Sequence, residues 1–190
     1  MTRITGTIFA LDLGVNLGLA VGRAGAKPEC CSVRLKKTGE HRAVAFSNLL
    51  DFLVGRFEAI PPALVVKEKM LHIAALLKVS GGSDDNFRMH AGLHGVVEGL
   101  CGRYGVAWTE AADSTVRKHF LGRAKLGDRA ATKAAVVARC HLLGLLPKGC
   151  GDDNVADAAA TWDWAAATYG RESATTRELF LFGEQARGAA

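Results

Sequence analysis

The stretch FALDLGVNLGLAVG, residues 9–22, decides how this chain folds. Its first four residues close an apolar, β-branched run, ITGTIFALD (residues 4–12), that stops at Asp12. Gly14 and Asn16 supply turn chemistry, and LGLAVG follows as a second short strand. ECCSVRLKK, residues 29–37, reads as a third strand with a basic exit. Three strands in such close succession predict an antiparallel meander opening a mixed sheet.

Outward from there the hydrophobic period changes from two to 3.6. Between His41 and Phe57, Ala45, Leu49, Phe52 and Phe57 recur at helical spacing, and Pro61 and Pro62 end the pattern. ALVVKE (63–68) is an apolar strand suited to a central position. VSGGSDDN (79–86) has the composition of an exposed loop. Residues 87–103 predict a helix with Leu93, Val96, Val97 and Leu100 on its apolar side and Phe87 as its first core anchor, closed by Gly105. VAWTEA (106–111) predicts another strand. A basic segment follows, then a helix over 129–143 that stops near Gly144 and Pro147, and a last helix from Asp152–Asn154 through ADAAATWDWAAA to Ala167. Trp162 and Trp164 in that helix read as core or subunit-interface residues. The order βββ-α-β-α-β-α-α predicts an α/β fold with one mixed sheet, antiparallel in its first three strands and then parallel, flanked by helices. Residues 1–170 are expected to form one domain, with 171–190 as a C-terminal tail.

Composition narrows the function classes. A chain of 190 residues with 49% hydrophobic content can bury a core without staples. Its five cysteines (Cys30, Cys31, Cys101, Cys140, Cys150) form no CxxC pair, which speaks against a structural zinc site and for a reducing compartment. No uncharged run approaches the ~18 residues of a membrane span, so a cytoplasmic protein with no membrane partner is expected. The net charge of +5 suits a polyanionic partner.

Against that basic background the carboxylates fall at particular places. Asp12 ends the first strand, Glu68 ends the fourth, and Asp153 and Asp157 are an i,i+4 pair at the start of the last helix. Strands that each terminate in a carboxylate bring those groups to one rim of a sheet, where neighbouring strands lie ~4.8 Å apart. The helix adds its carboxylates to that rim if it packs through Ala156, Ala160 and Trp164. Like charges gathered this way need a counter-charge. Two magnesium ions supply it, because magnesium prefers oxygen ligands and phosphates, and manganese can substitute. Such a pair, ~3.5–4 Å apart, activates water and steadies the leaving oxygen in phosphodiester hydrolysis. Each position also has a plainer role. Asp12 can be a turn residue, Glu68 a solvated strand end between Lys67 and Lys69, and Asp152, Asp153 and Asn154 a helix cap and first turn. Asp157 resists that account, since it sits inside the alanine-rich VADAAA on the side expected to bury.

These segments resemble the RuvC-type Holliday junction resolvases, especially their compact phage-like branch, within the ribonuclease H-like superfamily. FALDLGVNLGLAVG resembles the family's opening strand-turn-strand, VVKE its second catalytic segment, and DDNVADAAATW its C-terminal motif. The likeness spans roughly residues 5–167. It implies Asp12, Glu68 and Asp157 as catalytic metal ligands. Many members carry the remaining acidic residue three positions before the last aspartate, where this chain has Asn154. Asp153 is the favoured fourth ligand, Asn154 a weaker candidate, and Asp152 stands well round the helix from Asp157. The resemblance further implies a homodimer that cuts four-way DNA junctions by paired nicks, leaving 5′-phosphate and 3′-hydroxyl ends. Two alternatives stay open: a related nuclease acting on flaps, other branched DNA or RNA–DNA hybrids, and a non-catalytic protein that binds branched DNA.

Arg117, Lys118, Arg123, Lys125, Arg129 and Lys133 are the candidate DNA-binding residues, as phosphate anchors. His90, His94 and Glu98 repeat at i,i+4,i+8, a spacing that could hold zinc but reads more simply as a polar helix face or a histidine near DNA. Lys67 and Lys69 are expected on the sheet face opposite Glu68, offsetting its charge.

Overall fold

The strands on either side of Asp12 set the sheet. β1 (Thr7–Asp12) and β2 (Asn16–Arg23) pair antiparallel, with Asp12 opposite Gly18. β3 (Glu29–Arg34) continues the meander on β2. β4 (Pro62–Glu68) then lies parallel to β1, and β5 (Ala107–Ala111) parallel to β4, in the order β3-β2-β1-β4-β5. This is the mixed sheet predicted from sequence. It belongs to a computed structural model that describes residues 3–70 and 84–170. The expected tail at 171–190 and residues 79–83 of the expected loop lie outside the described residues.

Strand alternation divides the core in two. On one face Phe9, Leu11, Leu19, Val21 and Val65 pack beneath α1 (Arg42–Ala59) and α2 (Asp84–Tyr104). On the other, Ile8, Ala10, Ala20, Leu64 and Val66 pack beneath α3 (Asp113–Leu121), α4 (Arg129–Leu142) and α5 (Asp153–Tyr169). The helix ends follow their chemistry. The imidazole of His41 caps α1, the Asp128 carboxylate caps α4, and the Asp152 carboxylate accepts from the backbone N–H groups of Asn154 and Val155 to cap α5. Among the described residues, no helix is long and apolar enough to cross a membrane.

Three local expectations need correction. Residues 84–86 are not loop but the first turn of α2, where Asp84 and Asp85 meet the positive helix terminus and Asp84 pairs with Arg88 at 2.6 Å. Phe87 is only half-buried, and Met89 is the first buried residue of that helix. The basic segment contains a helix, α3, that the sequence pattern did not announce. Its apolar signal is a single i,i+4 pair, Val116 and Phe120, followed by Gly122 in the left-handed conformation (φ 75°) that ends it.

α5 comes unusually close to the sheet. A Cβ at Gly18 would overlap the backbone carbonyl of Asn154 and press on Ala158. Ala156, Ala158, Ala159, Ala160 and Ala165 are all buried. Only small residues on both sides permit this approach. Trp162 is buried and donates its indole N–H to the Gly22 carbonyl at 3.2 Å. Trp164 is half-buried, packs against the same core and meets Tyr169 edge-on, so both tryptophans belong to the apolar side of α5, with Trp162 the deeper.

Candidate active site

The period of two along a strand aims Asp12 to the side of Ala10 and Glu68 to the side of Val66. Both carboxylates therefore leave the ends of adjacent parallel strands on the face covered by α5. The same close approach at Gly18 brings in Asp157 from the second turn of the helix. Asp12, Glu68 and Asp157 line one cavity of about 290 Å³, together with Asp113, Asn154, His90 and the cations Arg117, Arg129 and Lys133.

The electrostatics of this cavity are those of crowded carboxylates. Burial, then the charge of Asp157, pushes the Asp12 carboxyl up to about 7. Glu68 rises to about 9 through burial and the charges of Asp113 and Asp12, to both of which it is hydrogen-bonded. Burial raises Asp157 to about 6, held there partly by Lys133 and Arg117. The surrounding cations do not neutralise the group. Buried, mutually repelling, all-oxygen donors fit a hard divalent cation.

The remaining predicted residues divide. Asn154 lines the cavity, whereas Asp153 hydrogen-bonds the Lys133 ammonium and Asp152 is committed to the helix cap and to Ser32. Arg117, Arg129 and Lys133 surround the cavity; Lys118 on α3 and Arg123 and Lys125 beyond it are exposed. Sequence reasoning missed Asp113. It stands two residues past the end of β5, and the rule that found Asp12 and Glu68 at strand ends would have reached it had α3 been recognised.

A second charged group lies on the opposite face, one residue away. Lys67 is fully buried, and its ammonium contacts His94 Nδ1 at 2.8 Å, Glu110 at 2.5 Å and Glu98 at 3.0 Å. Its opposite-face position is the one expected. His94, however, is buried and not part of a solvated helix face. Burial and the Lys67 charge lower its pKa to about 4, so a neutral imidazole accepts from the ammonium. Burial would raise the Glu110 carboxyl, but its hydrogen bond to Lys67 and the lysine charge hold it below the usual range. The ligand atoms of His94, Glu98 and Glu110 lie within 4.8 Å of one another, a spacing capable of holding a divalent metal. Here the lysine ammonium takes the cation's place. Among the described residues this is the only trio so tightly spaced. The carboxylates of the cavity form no such trio among the described residues.

The five-stranded mixed sheet with helices on both faces is similar in fold to the RuvC and Ydc2 resolvases. Thermus thermophilus RuvC in complex with a Holliday junction substrate aligns with a TM-score of 0.63 at 16% identity, covering 84% of this chain and 92% of that one. A second structure of Thermus thermophilus RuvC gives 0.60 at 16% identity, over 85% and 95%. The yeast mitochondrial Holliday junction resolvase Ydc2 gives 0.54 at 13% identity, over 97% and 86%. No protein-family model and no curated protein matches the sequence.

Proposed function

We propose that this protein is a metal-dependent endodeoxyribonuclease that resolves four-way DNA junctions. The observation that carries the proposal is the uncompensated group Asp12, Glu68 and Asp157 on the rim of a RuvC-type fold, bordered by Arg117, Arg129 and Lys133. Asp12, Glu68 and Asp157 would hold magnesium or manganese. When bound, the ions supply activation of the attacking water and charge stabilisation of the leaving 3′-oxygen. Asp153 enters only indirectly, because its partner Lys133 also faces Asp157.

The chain's own cations orient the DNA. Arg117, Arg129 and Lys133 surround the point where a scissile phosphate meets the carboxylates, and Lys118, Arg123 and Lys125 extend the phosphate track across α3. Neutralising any one of these phosphate anchors should lower the slope of log affinity against log salt by about 1. The four-way junction as substrate is taken from the relatives of like fold. Paired symmetric nicks require two such sites, hence a homodimer.

The test is cleavage of labelled four-way junction, flap and RNA–DNA hybrid in magnesium and in manganese, by wild type and D157N. Wild type should nick the junction at paired positions, leaving 5′-phosphates. D157N should lose on the order of 10³-fold in rate while still binding. Junction binding without cleavage in either metal would identify a DNA-binding protein and end the nuclease reading.

A further inference from the structure

Asn154 brings no charge to the cavity. Its neutral amide lines the cavity from the first turn of α5, while Asp153 beside it is engaged by Lys133. A carboxylate arrives from another element. β4 and β5 run in register with Glu68 opposite Ala111, and the chain passes through Ala112 straight into α3. Asp113, in the first turn of that helix, is thereby hydrogen-bonded to Glu68, and its charge acts on Asp12 and Asp157 as well. It also pairs with Arg117 at 3.0 Å, and it forms part of the wall between the acidic cavity and a second one of about 350 Å³ that reaches Lys69 and Ser114.

A first-turn aspartate paired i,i+4 with an arginine has an ordinary use as a helix stabiliser. That use would be served by a carboxylate facing Arg117 alone. It gives no reason for holding the group against a second, buried carboxyl, an arrangement that is favourable only with a proton or a cation between the two. The geometry points to Asp113 as the fourth carboxylate of the metal site, a role filled from α3 instead of from the first turn of α5; this rests on the nuclease reading above. A cation on Asp113 releases the Arg117 guanidinium to a phosphate oxygen of the bound strand, so the pair couples ion binding to DNA binding.

Manganese binding to the full chain without DNA tests this, read from the electron paramagnetic resonance of free Mn²⁺ in wild type, D12N, D113N, D153N and R117Q. D113N should weaken binding by at least about tenfold, and D153N by less than about threefold. R117Q breaks the helix ion pair but keeps the carboxylate, and should bind no more weakly than wild type. Equal losses in R117Q and D113N would reduce Asp113 to a helix stabiliser and overturn the inference. So would wild-type affinity in D113N while D12N loses the ion, an outcome that leaves the nuclease reading intact. Wild-type affinity in D12N would sink the nuclease reading itself. Should D113N fail to fold, D113E decides: moving the oxygens by one methylene should change affinity by at least about threefold, and no change overturns the proposal.

Discussion

Lys67 and Glu68 are neighbours in one strand, yet they serve opposite kinds of charge cluster. Lys67 points to the α1/α2 face, where its three N–H donors meet His94, Glu98 and Glu110 and its ammonium lies 4.8 Å from the centre of the Trp108 ring. Glu68 points to the α5 face, where its hydrogen-bonding neighbours are other carboxyls. In the first cluster one buried ammonium touches both carboxylates. In the second, among the described residues, no ion pair reaches Asp12, Glu68 or Asp157, and Glu68 meets other carboxyls instead. Spacing alone would rank them wrongly, because the trio around Lys67 has the tighter metal-like geometry. What distinguishes a structural cluster from one that needs a ligand is whether a cation of the chain itself touches the crowded carboxylates.

This contrast can be broken from either side. Apart from loss of a carboxylate itself, the largest effect should come from Gly18→Ala, which disturbs the α5 face only. The added methyl meets the Asn154 carbonyl and must push the start of α5, and Asp157 with it, away from Asp12. Single-turnover cleavage of a four-way junction should fall about 10²-fold, with stability lowered by about 1–3 kcal/mol. Near-wild-type cleavage would show that the helix approach does not position the carboxylates.

Lys67→Met attacks the other face. It leaves Glu98 and Glu110 without their cation, at a cost of about 2–3 kcal/mol in urea unfolding. That is less than a fully buried pair would cost, because both glutamates reach solvent. Unchanged stability would mean that the ammonium is not the keystone of that cluster.

The pH dependence of melting separates the faces without mutation. In metal-free protein the folded-state pKa values of Asp12, Asp157 and Glu68 are raised to about 7, 6 and 9. The stability linked to them is full below their ordinary carboxylate range and is lost as pH rises through those folded values. His94 works in the other direction. Its folded pKa is lowered to about 4 from 6.5, so its contribution is present above 6.5 and is lost as pH falls toward 4. Between pH 7 and 8, below the range in which unfolded cysteine thiols ionise, the acidic face should dominate, with the melting temperature falling and added magnesium abolishing the fall. A flat metal-free profile in that window would contradict the crowding of the carboxylates.

Glu98→Gln should have the smallest effect. The Glu98 side chain is 41% exposed, and its loss leaves Lys67 paired with Glu110. A drop of about 0.5–1 kcal/mol with unchanged cleavage is expected. A larger loss would place Glu98 nearer the centre of the network than its exposure suggests.

The main features of the fold could be read in the chain because they rest on local periodicity. The meander around Asp12, the apolar ALVVKE strand and the alanine-rich last helix each announce their partner face through repeats of two or 3.6. α3 escaped notice because two buried residues, Val116 and Phe120, carry its whole pattern among exposed basic ones. The rim position of Asp12 and Glu68 follows from strand ends. The choice among Asp152, Asp153 and Asn154 does not, since all three lie within one helical turn and only packing assigns one to the cap, one to Lys133 and one to the cavity.

The sequence by itself determined the order of elements, the alternation that sends Lys67 and Glu68 to opposite faces, and the carboxylates at the ends of two strands. These depend on backbone geometry that each segment carries locally. Only the tertiary structure decided that Gly18 admits α5, that Asp113 joins the acidic group, and that Lys67 closes the cluster opposite. Each of those is a meeting between segments distant along the chain, fixed by whether a methyl group fits or a charge finds its partner, and no local pattern records that.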